Sequence, residues 1–143
     1  MGTVIRSELS KKNKYYISKH RYYELKHFCL QYPEWKEEYA RLVLEIGADG
    51  YILDGMPKGS DKLDRTYEKA VKLAQIKEKI RMVDDAAISV DPDIWRYLLK
   101  AVTEGYSFTY LKTVMNIPCE KDMYYDRYRK FFYLLSRKIH RVE

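Results

Sequence analysis

The carboxylates Asp84, Asp85, Asp91 and Asp93 are the densest acidic group in the chain. Such clusters can hold divalent metals for phosphodiester hydrolysis. Local chemistry argues against that use here. Asp91 and Asp93 flank Pro92 in a stop-and-start pattern, with Asp91 placed to cap a helix and Asp93 in its first turn. Asp84 and Asp85 are neighbours, so on a helix they diverge by about a third of a turn. The three histidines are scattered. His20 and His27 fall two turns apart on one helix, with no Cys or carboxylate to complete a zinc spacing. Cys29 and Cys119 stand alone and read as reduced thiols. No Gly-rich phosphate cradle, Gly-x-Ser-x-Gly or paired Cys/His nucleophile occurs. The expectation is therefore a protein that is not an enzyme and needs no cofactor or metal.

Binding chemistry is better represented. Toward the carboxyl end Lys112 is followed by Lys121, Tyr125, Arg127, Arg129 and Lys130. Lysine and arginine neutralise phosphates and release counterions, while a tyrosine can donate its hydroxyl to a phosphate or lay its ring on a thymine methyl. The net charge of +6 is unevenly spread. Residues 1–32 carry seven basic against two acidic side chains, residues 33–106 twelve against fifteen, and residues 107–143 eight against four. A basic start and end around an acidic middle favour a polyanionic partner. The arm KKNKYYISKHRYY interleaves Lys, Arg and Tyr, a composition that suits backbone contact or a solvated terminus.

These side chains need helices to position them, and the apolar spacing supplies six. Ser18 caps a helix to about Gln31, with Tyr22, Leu25, Phe28, Cys29 and Tyr32 inward. Pro33 opens a second, and Gly47 ends it. Residues 48–60 (ADGYILDGMPKGS) read as a loop and hinge in which YIL could form a short extended piece, though an isolated strand has no partner. Ser60 starts a long helix whose stripe runs from Leu63 and Tyr67 through Ile76 and Val83 to Val90, roughly 45 Å in length. A rod that long needs a partner, either a second copy through residues 61–90 or the first two helices folded back as a hairpin. Ile94 to Val102 form a fourth helix closed by Gly105, and Ser107 caps a fifth through about Met115. Asn116 tolerates the left-handed turn and Pro118 forbids continuation. A sixth helix then runs from about Glu120 to Lys138 with Tyr124, Tyr128, Phe131, Leu135 and Ile139 inward.

A short helix, a turn and a longer basic aromatic helix make a helix-turn-helix pattern, in which the first helix braces the second for entry into the major groove. The stretch GYSFTYLKTVMNIPCEKDMYYDRYRKFFYLLSRKI resembles the C-terminal part of the ArpU/RinA-like phage transcription regulators, itself similar to sigma factor region 4. The resemblance is carried by the brace around Tyr110, the Ile117-Pro118 turn, and Tyr124-Tyr125-x-Arg127-x-Arg129-Lys130. The middle, DGMPKGSDKLDRTYEKAVKLAQIKEKIRMVDDAA, also looks like that family's loop and long helix. It implies a phage or prophage regulator that binds double-stranded DNA and acts beside bacterial RNA polymerase in the host cytoplasm.

The sequence thus predicts an all-α fold, a helical bundle with one long central helix and a C-terminal helix-turn-helix. Residues 1–47 form a basic arm and two-helix segment, 48–60 a loop, 61–90 the oligomerising helix and 91–143 the DNA-binding region. Two other readings stay open: a small packaging subunit resembling phage small terminases, and a protein–protein adaptor without DNA binding. No run of about eighteen apolar residues exists, so a membrane span is not expected. The first residues carry no secretory or myristoylation pattern.

Overall fold

The computed structural model describes residues 13–48 and 60–142. Every regular element among them is helical: α1 (Lys19–Leu30), α2 (Tyr32–Ala48), α3 (Ser60–Val90), α4 (Trp95–Glu104), α5 (Phe108–Thr113) and α6 (Lys121–Val142). The fold is all-α, as expected. The first twelve residues of the chain lie outside the described residues, as does nearly all of the expected loop with its YIL piece and hinge. Among the described residues no helix is long and apolar enough to cross a membrane.

Local chemistry explains most boundaries. Ser18 opens α1 by accepting the Arg21 N–H on its Oγ at 3.3 Å, and Ser107 opens α5 by accepting that of Tyr110 at 3.1 Å. Gly105 closes α4 at φ 78°, donating to the Ala101 carbonyl at 2.9 Å. That left-handed backbone would strain any residue with a Cβ. α5 is shorter than its apolar spacing implies and stops at Thr113. The chain must swing through Asn116 at φ 56° to place Ile117 N–H on the Leu111 carbonyl at 3.0 Å, and a longer helix would forbid that bond. α6 runs past the expected Lys138 to Val142, and α2 passes Gly47 to Ala48.

The chain forms two compact units. One is Pro33–Arg81, where α2 and the first part of α3 run antiparallel. Glu38 pairs with Lys72 at 2.7 Å, Glu45 with Lys69 at 3.6 Å, and Lys79 lies 5.8 Å over the Trp35 ring. The hairpin partner for the long helix is thus present, with Trp35, Leu42 and Ile76 buried in it. It covers only part of the expected stripe, since Leu63 is 68% and Tyr67 71% exposed. At 17 residues α2 is too short to flank all 31 residues of α3.

The other unit joins the residues up to Tyr32 to those from Met82 onward. Here α1 packs on α4 and α6, and α5 packs on α4. Leu25, Cys29, Leu98, Leu111, Phe131 and Leu135 make its fully buried centre. Phe28 and Tyr32 are half-buried, and Tyr32 donates its hydroxyl to Asp84 at 2.7 Å. The described part of the N-terminal arm is pinned down. Asn13 turns the chain by accepting the Tyr15 N–H at 2.7 Å, Ile17 is buried, and the Tyr15 ring lies 5.6 Å from that of Tyr133. Arg21 fastens α1 to α6 by donating to the Oγ of Ser136 at 3.0 Å and to its carbonyl at 3.2 Å.

Candidate nucleic-acid interface

α5 and α6 are joined by a link over residues 114–120. Ile117 is buried at its centre, Cys119 N–H donates to the Ile117 carbonyl at 2.9 Å around Pro118, and Lys112 Nζ donates to the Cys119 carbonyl at 3.2 Å. Ile117 and Cys119 are buried, so their backbone groups need such partners. Leu111 on α5 is fully buried, and the Phe108 ring of the same helix lies 5.3 Å from that of Tyr124 on α6.

The six cationic and aromatic residues singled out from the sequence do not form one surface. Lys112 serves the link and also lies 3.6 Å from Glu120. Lys121 and Tyr125 turn to one flank of α6, with the ammonium 6.0 Å from the ring centroid. Arg127 turns to the opposite flank and is engaged internally. Arg129 and Lys130 are half-buried and have no carboxylate partner among the described residues. A helix turns 100° per residue, so a cluster compact in sequence wraps around the rod.

Arg127 and Asp91 form a polar contact between segments remote in the chain. The guanidinium Nε donates to Asp91 Oδ2 at 2.9 Å and Nη1 to Asp126 at 2.6 Å. The other oxygen of Asp91 accepts the N–H groups of Asp93 at 2.8 Å and Ile94 at 3.2 Å. Burial of Asp91 disfavours its charge. Hydrogen bonds from Arg127, Asp93 and Ile94 outweigh that and hold the carboxyl below the usual range. Arg127 therefore ties α6 to the α3–α4 junction. Asp91 does not cap α4 as its place before Pro92 suggests: α4 begins at Trp95 with Ile94 at its N-cap and no side-chain cap bond, and Asp91 instead holds the turn that precedes it. Among the described residues no group of three or more His, Cys, Asp or Glu is placed to hold a metal.

An unexpected feature lies on the Lys121 flank. α1, the α4–α5 connection and α6 enclose a cleft of about 780 Å³. Tyr22 and Tyr23 line it from α1, Tyr106 and Phe108 from the connection and α5, and Tyr124 and Tyr125 from α6. Lys26 and Lys121 are its charged lining groups, and no carboxylate lines it. The only sequence signal was the two doublets, Tyr22-Tyr23 and Tyr124-Tyr125. One ring of each is buried on the helix stripe, and its neighbour must turn to the flank.

The tyrosines behind this cleft set an alkaline limit on the fold. Burial pushes the Tyr124 and Tyr128 phenols well above their usual range, and the hydroxyls of Tyr22 and Tyr128 share a hydrogen bond at 2.8 Å. Burial and the bond to Asp84 do the same for Tyr32. A raised phenol contributes stability below its unfolded value of about 10, and that contribution is lost as pH climbs toward the folded one. Absorbance titration should show three phenols ionising late and together with loss of helical signal. Their ionisation near pH 10 with the helix intact would contradict the buried placement.

Comparison with protein-family models, characterised proteins and solved structures gives no match for this chain.

Proposed function

We propose that this chain binds double-stranded DNA through α5, the 114–120 link and α6 as a helix-turn-helix, acting as a sequence-specific phage or prophage regulator in a bacterial cytoplasm. The observation that carries the reading is a set of unneutralised cations on α6. Arg129, Lys130, Arg137 and Lys138 have no carboxylate partner among the described residues. Such groups suit phosphates, whose counterions they release. The acids near the start of α6, Glu120 and Asp122, stand where the helix dipole favours them and can accept from a cytosine amino group. The partnership with RNA polymerase rests on the resemblance of this segment to sigma factor region 4.

Self-association through α3 belongs to the same proposal. Leu63, Tyr67 and Val71 recur every four residues on one face of α3 and are exposed, as are Val43 and Leu44 on α2. A dimer is the expected mass in solution. A ring of many chains favours the packaging-subunit reading instead.

The test is selection of bound duplexes from a random pool, followed by titration across salt. One motif should be enriched, and affinity should fall steeply with salt. Arg129→Ala with Lys130→Ala should reduce the slope of log K against log salt by about two. Affinity for duplex no greater than for a neutral polymer defeats the proposal.

A further inference from the structure

We infer that the tyrosine-lined cleft between α1, the α4–α5 connection and α6 is a binding site for a nucleotide unit, a base bearing a phosphate. This stands apart from the duplex-binding reading and uses none of Arg129, Lys130, Arg137 or Lys138.

Three observations converge. The first is charge: Lys26 and Lys121 line the cleft and no carboxylate does, so it selects an anion. The second is shape. Its volume of about 780 Å³ falls in the range of small-molecule sites. Tyr125 is half-buried, which leaves part of its ring open for stacking, and Phe108 and Tyr124 lie 6.1 and 5.2 Å from it. Lys121 Nζ is 6.0 Å from the Tyr125 centroid. A base stacked on that ring would present its phosphate to the ammonium across the sugar. Stacking on tyrosine is sequence-tolerant and contributes about 1–3 kcal/mol per base.

The third is a polar group without a partner. Tyr124 is only 2% exposed, yet its hydroxyl makes no hydrogen bond among the described residues. Buried hydroxyls are nearly always paired, because an unpaired one loses its water for nothing. Its neighbour Tyr22 satisfies its own hydroxyl on Tyr128. Tyr124 in the cleft wall is thus left to receive a ligand group, such as a base-edge nitrogen or carbonyl.

A free nucleotide and an unpaired nucleotide within a strand share this chemistry, and the experiment separates them. Calorimetry on the full chain would use adenosine and guanosine 5′-monophosphates, an oligothymidylate single strand, adenosine and inorganic phosphate. Saturable binding of a monophosphate assigns a free ligand, and binding of the strand alone assigns an unpaired residue. Adenosine and phosphate should each bind at least about tenfold more weakly than whichever probe binds. Lys26→Ala and Lys121→Ala should each weaken binding about tenfold. Tyr124→Phe keeps the ring and should weaken it several-fold while leaving helicity intact. Lys77→Ala, at an exposed lysine outside the cleft, should bind as the unaltered chain does. The inference is overturned by any of three outcomes: no saturable binding of either probe class, both lysine variants binding normally, or inorganic phosphate binding as tightly as a nucleotide.

Discussion

Phe132→Ala is expected to lower the free energy of unfolding by about 3–5 kcal/mol, the usual cost of deleting a fully buried ring. Phe132 is 0% exposed and its centroid lies 5.2 Å from Tyr22, 5.0 Å from Tyr128 and 5.0 Å from Phe131. All three contacts are edge-on, at interplanar angles of 79°, 62° and 85°. That arrangement favours aromatic pairs beyond their buried area. Little can collapse into the hole, since the neighbouring rings are held by the Tyr22–Tyr128 hydroxyl bond and the Arg21 clamp on Ser136. Chemical denaturation is the measurement, with an unchanged m-value expected. A loss under about 1 kcal/mol would mean that α1 does not pack on α6 as described.

The second large effect belongs to Asp91. Asp91→Ala removes the partner of Arg127 and the acceptor for two backbone N–H groups, so a loss of about 3 kcal/mol is expected. Partial exposure of the guanidinium keeps this at the lower end for a broken buried pair. Asp91→Asn retains an acceptor for the turn and should cost less. A double-mutant cycle with Arg127→Ala should return a coupling of about 1–2 kcal/mol, and additivity would refute the clamp. The pH dependence follows from the lowered carboxyl. Its contribution is complete above the unfolded value of about 3.9 and is lost as pH falls through the lower folded value. Asp91→Asn should therefore be less sensitive to acid below about pH 4 than the unaltered chain. The carboxyls of Glu38 and Glu45 are also lowered, chiefly by hydrogen bonds from Lys72 and Arg41 respectively, but they face solvent and screening leaves them little weight.

Both effects bear on the cations proposed to meet DNA. Phe132 and Asp91 contact none of them, yet each holds α6 against its supports. A variant that loses DNA affinity only as far as it loses folded population separates support from contact. Arg129→Ala and Lys130→Ala should lower affinity with stability almost unchanged.

Helix number, helix class and most boundaries were legible from short-range chemistry. The caps at Ser18 and Ser107, the left-handed Gly105 and Asn116, and the Asp91-Pro92-Asp93 junction each act within a few residues of themselves. Apolar spacing also identified Leu25, Cys29, Phe131 and Leu135 as inward. α5 ends two residues before the point its apolar pattern predicts. Its apolar pattern continues to Met115, and only the long bond from Ile117 to Leu111 shows why the helix must stop sooner.

What pattern could not supply were the pairings made across distance. Arg127 and Asp91 are 36 positions apart, Tyr22 and Tyr128 are 106, and Arg21 and Ser136 are 115. Composition shows a basic, tyrosine-rich segment, because charge and ring count are properties of the residues alone. Which cations stay open, which one is tied down and which rings wall a cleft are decided only when helices remote in the chain dock. Docking buries one flank of a rod and leaves the other in water, and the same side chain is worth different energies in the two settings.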